Sequence, residues 1–264
     1  MPPVFSVTSD QLSVWMVAFL WPFVRMLALI GTAPVFSEAA VPRSAKVGLA
    51  ALLSIVITPA LGAMPSVPLV SAGGAWILIQ QVLIGVAMGF SMRMVFAIVQ
   101  AAGEYAGLQM GLSFASFFDP TSGGNTMVLA RLLNVMAMLI FLAIDGHLML
   151  ITTLVESFHT LPIADAPLAA GGWLLLVAAG SQIVSGGLML ALPLIAALLT
   201  LNLALGIMNR VSPQFSIFAV GFPITLLAGM GMLQMLMQYI APFLEPRFAA
   251  GFASTLQFLQ GLRP

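Results

Sequence analysis

GGAWILIQQVLIGVAMGFSMRMVFAIVQAA, residues 73–102, decides the fold class, and Arg93 is its one charged side chain. The run is too long for a strand and does not alternate apolar with polar, so it reads as helix rather than barrel strand. Roughly 20 apolar residues cross a bilayer, and this stretch is longer. Lipid offers no hydrogen bonds, so its backbone must be satisfied within the segment, which a helix does.

The rest of the chain repeats the pattern. Of its 264 residues, 61% are hydrophobic and 6% charged, and the mean hydropathy is +1.12. A soluble domain carries about 25% charged residues, so this is an integral membrane protein. Six apolar segments run near 12–36, 46–64, 73–102, 127–154, 171–206 and 215–244. Pro22, Pro34, Pro59, Pro193 and Pro223 lie within or at the ends of these segments and are expected to bend or break them. Arg25, Arg93, Arg131, Asp145, His147 and Glu156 sit inside or at the edges of apolar runs. Such groups are costly in lipid and face protein or water. The expected fold is an all-α membrane protein of about six broken hydrophobic helical segments, packed largely against other protein.

Several classes fall away. Eight basic and eight acidic residues cancel, and without a basic patch there is no nucleic-acid footprint. No cysteine is present, which excludes disulfides, thiolate zinc sites and cysteine nucleophiles. The isolated His147 and His159 make no metal site, no nucleophile–base set is visible, and neither an enzyme nor a cofactor is expected. MPPVFSVTSD lacks the basic start of a cleavable signal peptide. Arg43, Lys46 and Arg210 place the loops after segments one, three and five inside, although Arg247 and Arg263 in the tail run against that orientation. Residues 161–172, rich in proline, alanine and glycine, form the best boundary, with four apolar segments before it and two after.

Three stretches carry function. In AAGEYAGLQMG, Gly103, Gly107 and Gly111 stand four apart, on one helix face where another backbone can approach. That backbone belongs either to this chain or to another subunit. Gly85 and Gly89 repeat the pattern. In GLSFASFFDP, residues 111–120, Gly111 can end the preceding helix, and Asp119-Pro120 begins a turn. Between them, Leu112, Phe114, Phe117 and Phe118 either fill a gap in the fold or form a hydrophobic constriction that shuts a pore by excluding water. In LNLALGIMNRVSPQFSIFAVGFPITLLAG, the polar turn of Asn209, Arg210, Pro213 and Gln214 joins two apolar helices into a hairpin, as a plain connection or a docking tip. The tail stripe Phe248, Phe252, Leu256 and Leu259 suits a membrane surface or a partner. Glu104, Asp145 and Glu156 would carry the coupling of a rival function, a secondary transporter or ion channel.

RMLALIGTAPVFSEAAVPRSAKVGLA, GEYAGLQMGLSFASFFDP and LGIMNRVSPQFSIFAVGFPITLLAG together resemble the FliR/SctT family of type III secretion export-gate subunits, over nearly the whole chain. The resemblance implies one R-type subunit joined to several P-type and Q-type subunits in a helical, pore-forming hetero-oligomer. It implies a P-type-like part over residues 1–165 and a Q-type-like hairpin with tail over 166–264. It also implies that GLSFASFFDP plugs the closed pore, that the glycine face packs against subunits, and that the hairpin tip lies near an FlhB-type switch subunit. The substrates would be unfolded flagellar proteins, exported across the bacterial inner membrane at the flagellar basal body, with membrane lipid around the assembly.

Overall fold

The computed structural model describes residues 8–62, 64–65, 67–112, 128–212 and 221–263. These form seven α-helices: α1 Ser9–Thr32, α2 Arg43–Ile57, α3 Ala72–Gln109, α4 Val128–Ala143, α5 Gly146–Thr160, α6 Gly171–Val211 and α7 Phe222–Gly261. A short 3-10 turn, Thr58–Ala60, follows α2. No strand occurs among the described residues. Five helices are long and apolar enough to cross a membrane, or six when α4 and α5 count as one bent span. The all-α membrane class and the six apolar segments therefore stand.

Local chemistry sets the helix ends. Thr8 caps α1 with a capping box: its Oγ1 accepts from Gln11 N at 3.3 Å, and Gln11 Oε1 accepts from Thr8 N at 3.2 Å. Pro34 follows the end of α1, Pro59 lies in the 3-10 turn, and Pro223 lies in the first turn of α7, where its missing N–H costs nothing.

Of the two outcomes expected at the prolines, bending or breaking, the break does not occur at two places. Pro22 and Pro193 lie inside continuous helices. Pro22 leaves the carbonyl four residues earlier, Ala18 O, without its helical donor. Thr58 Oγ1 donates to that oxygen at 3.3 Å, and Ser54 Oγ donates to Phe19 O at 3.1 Å. Hydroxyls from the α2 region thus satisfy the opened part of α1, as helices in lipid require. The one sharp break among the described helices lies elsewhere. The α4–α5 pair bends by 68°, at Asp145, whose φ of 56° is left-handed. Aspartate tolerates that conformation better than most residues.

By packing, the chain divides into two compact units. Unit 1 comprises Met1–Arg93, Gly146–Ala178 and Ala250–Pro264. Its core holds Val17, Trp21 and Ile77, with Met64, Val67, Leu69, Leu78 and Ile163 against them. A Cβ on Gly85 would lie 2.8 Å from Ala28 Cβ, and one on Gly89 would lie 2.8 Å from Ala33 N. The bare faces let α3 and α1 meet backbone to backbone. Ser91 Oγ and Thr255 Oγ1 share a buried hydrogen bond of 2.6 Å.

Unit 2 comprises Met94–Asp145 and Ala179–Ala249. Phe96, Phe141 and Phe248 form an aromatic triad with ring centroids 5.1–5.6 Å apart. Ala102, Leu190 and Ala191 form a second cluster with Tyr105, Ile195, Leu236 and Phe243. The tail stripe also needs correction. α7 runs unbroken past Pro242 and Pro246 to Gly261, and Phe248, Phe252 and Leu259 are buried within the protein. They do not form a separate helix facing a membrane.

Candidate functional site

α3 ends by a defined chemical stop. Gly111 has φ 78°; its N–H donates to Leu108 O at 3.1 Å, and Leu112 N donates to Gly107 O at 3.0 Å. That bond pair with a left-handed glycine is a Schellman motif, and glycine adopts the conformation without a Cβ penalty. Leu112, half-buried, is the last described residue before the aromatic stretch. Phe114, Phe117 and Phe118 lie outside the described residues, and α4 resumes at Val128.

The three glycines of α3 are not equivalent. A Cβ on Gly103 would lie 2.7 Å from Ala130 N and 3.1 Å from Ala130 Cβ, so this glycine lets α3 and α4 touch within unit 2. Gln100 Nε2, one turn away, donates to Asn134 Oδ1 at 3.1 Å across the same contact. Gly107 is buried and supplies the carbonyl that Leu112 uses, while Gly111 is the stop. At the hairpin, Asn209 and Arg210 close α6. Arg210 lies in the last turn, where a cation complements the helix dipole. Ser212 N donates to Met208 O at 2.9 Å. The helix stops just before Pro213, as residues preceding proline favour. Pro213 and Gln214 lie outside the described residues.

Arg25 is the structural surprise. It is fully buried in unit 1. Nε donates to Gln81 Oε1 at 2.7 Å, one terminal nitrogen to Ser157 O at 3.0 Å and Oγ at 3.2 Å, and the other to Leu161 O at 3.0 Å. The guanidinium also lies 4.2 Å from the Phe158 ring centroid. All these acceptors are neutral. The two carbonyls belong to the C-terminal end of α5, whose dipole presents partial negative charge. The sequence marked Arg25 as needing protein around it but did not reveal its partners. The Gln80-Gln81 pair inside an apolar run was the available signal.

The carboxylates singled out for ion coupling are not enclosed. Glu104, Asp145 and Glu156 are exposed, the first two in unit 2 and the third in unit 1. His147 is half-buried, and its Nδ1 has no partner among the described residues. No group of three metal-ligating side chains occurs among the described residues.

The profile of bacterial export proteins, family 1, matches residues 16–251. The chain belongs to this family. The export-family chain is 52% identical over 249 residues to the flagellar biosynthetic protein FliR of Escherichia coli (strain K12), covering 94% of this chain and 95% of that one. It is 53% identical over 238 residues to FliR of Pectobacterium carotovorum, covering 90% and 91%. Similarity extends to FliR of Bacillus subtilis, at 28% identity over 227 residues. Family and relatives together make this export-family member a subunit of the flagellar export apparatus.

Proposed function

We propose that this export-family chain forms and plugs the pore through which unfolded flagellar proteins leave the cell, as the R-type subunit of the type III export gate. It works in a hetero-oligomer with P-type and Q-type subunits, in the bacterial inner membrane at the flagellar basal body. The observation that carries the reading is the Schellman stop at Gly111, which ends a 38-residue apolar helix and hands the chain to LSFASFF. A phenylalanine-rich stretch at that point of the sequence can exclude water and ions.

Helix dimensions support an assembled rather than a solitary protein. α6 has 41 residues and α7 has 40. At about 1.5 Å per residue each follows a path of roughly 60 Å, twice the hydrocarbon core of a bilayer. In the most apolar window of each helix 22% is buried, against 67% for α3. The apolar surface left over needs lipid or other subunits as cover. The division into a P-type-like part, 1–165, and a Q-type-like hairpin, 166–264, assigns α6 and α7 to the hairpin. Its tip, Asn209 to Gln214, would meet the FlhB-type switch subunit. That division concerns kinship, whereas the two packing units interleave along the chain. A non-enzymatic role fits, since export through a gate requires a passage and a seal.

The test is ion conductance of the assembled gate after deletion of residues 113–118. The deletion is expected to leave assembly intact and let ions leak at rest. Normal conductance from a normally assembled gate would overturn the plug.

A further inference from the structure

Unit 1 contains a cavity of about 420 Å³. Its lining includes Gln80, Gln81, His159 and Arg263, with apolar walls from Ile84 and Leu168. That volume lies in the range of ordinary small-ligand sites. Arg263 is exposed, and its Nε donates to Thr160 O at 2.6 Å, which fixes the guanidinium plane at the cavity. Gln80 is held from the other side, its Nε2 donating to Ala166 O at 2.7 Å.

Behind this wall sits Arg25. Gln81 and Leu161, which line the cavity, are among its hydrogen-bond acceptors. Because these acceptors are neutral, they solvate the guanidinium without cancelling its charge, and its field reaches the cavity through a low-dielectric wall. Asp165, exposed, stands between the lining residues Ala164 and Ala166, and its Oδ2 lies 3.1 Å from where a Cβ on Gly73 would stand, in the first turn of α3. The cavity therefore combines a fixed guanidinium, an imidazole, a positive field from behind and apolar walls. It also lies where α5 and α7 end, at Thr160 and Gly261.

We propose that this cavity binds an anionic phospholipid, with the headgroup phosphate on Arg263 and His159 and an acyl chain along Leu168. The inference rests on the membrane character of the chain and is independent of the plug.

The experiment is native mass spectrometry of the full-length chain, with its co-purifying partners, in mild detergent. Phosphatidylglycerol and phosphatidylcholine are titrated in parallel. Wild type is expected to hold phosphatidylglycerol about tenfold more tightly, because the quaternary ammonium of phosphatidylcholine offsets the phosphate charge that the positive field attracts. Arg263→Ala is expected to abolish that preference. Arg263→Lys, which keeps the charge but not the guanidinium plane, should retain part of it. Ala164→Trp, which fills the cavity without removing a charge, should also abolish it. Equal retention of the two lipids, or a preference unchanged in both Arg263→Ala and Ala164→Trp, would overturn the proposal. So would thermal stabilisation by inorganic phosphate alone without any lipid preference, which would make this a free-anion site.

Discussion

Arg25 carries a full charge where no carboxylate among the described residues meets it, and its geometry explains how the fold tolerates that. Its planar fork reaches three directions at once, to Gln81, Ser157 and Leu161. Lysine carries a point charge on a flexible stem and cannot match that fork. Arg25→Lys is therefore expected to destabilise the protein by about 2 kcal/mol, since buried acceptors left unpaired cost ~1–3 kcal/mol each. The thermal midpoint of the purified gate would report it, and an unchanged midpoint would refute the clamp. Gly111 makes a second prediction at this scale. Its φ of 78° suits glycine alone among small residues. Gly111→Ala should cost roughly 1 kcal/mol, and Gly111→Asn less, because asparagine enters the left-handed region more readily. Graded protease sensitivity at the end of α3 would follow that order.

Among the elements, α1 and α2 show how a helix survives a proline in its middle. Thr58 and Ser54 donate to carbonyls in the stretch that Pro22 opens. Thr58→Val preserves shape but removes the donor to Ala18 O. It should lower stability by about 1–2 kcal/mol in the presence of Pro22 and much less in a Pro22→Ala background. A double-mutant cycle on melting midpoints checks this, and additive effects would show that the hydroxyl serves something else. The α3–α4 contact is the tightest test of the glycine spacing. Gly103→Leu would drive a side chain into Ala130, whereas a Cβ on Gly206 meets nothing within 4 Å. Gly103→Leu is expected to abolish accumulation of folded protein, and Gly206→Ala to leave it unchanged. Detergent-solubilised yield by size-exclusion chromatography separates the two.

For the whole molecule, the central expectation is that the aromatic stretch seals the resting gate and gives way to substrate. The chain has no native cysteine, so single thiols can be placed without background. Phe114→Cys and Phe117→Cys should label slowly from water in the resting gate and several-fold faster while substrate is being exported. Equal labelling in both states would argue for a fixed filler. The rival, a transporter coupled through Glu104, Asp145 and Glu156, calls for enclosed carboxylates, and in this chain all three are exposed.

The sequence by itself determined the membrane class, the number of apolar segments, the stop at Gly111 and the end of α6 before Pro213. Each depends on composition or on chemistry within a few neighbouring residues, such as a glycine's freedom of φ or a proline's demand on its predecessor. Only the tertiary structure decided which prolines interrupt a helix, because the donors that rescue Pro22 come from Ser54 and Thr58, more than thirty residues away. The same is true of the tail, whose phenylalanines are as apolar facing a core as facing lipid. It is true above all of Arg25. Its acceptors lie 56, 132 and 136 residues further along the chain, and no local pattern encodes a bond that exists only when three distant helix segments meet.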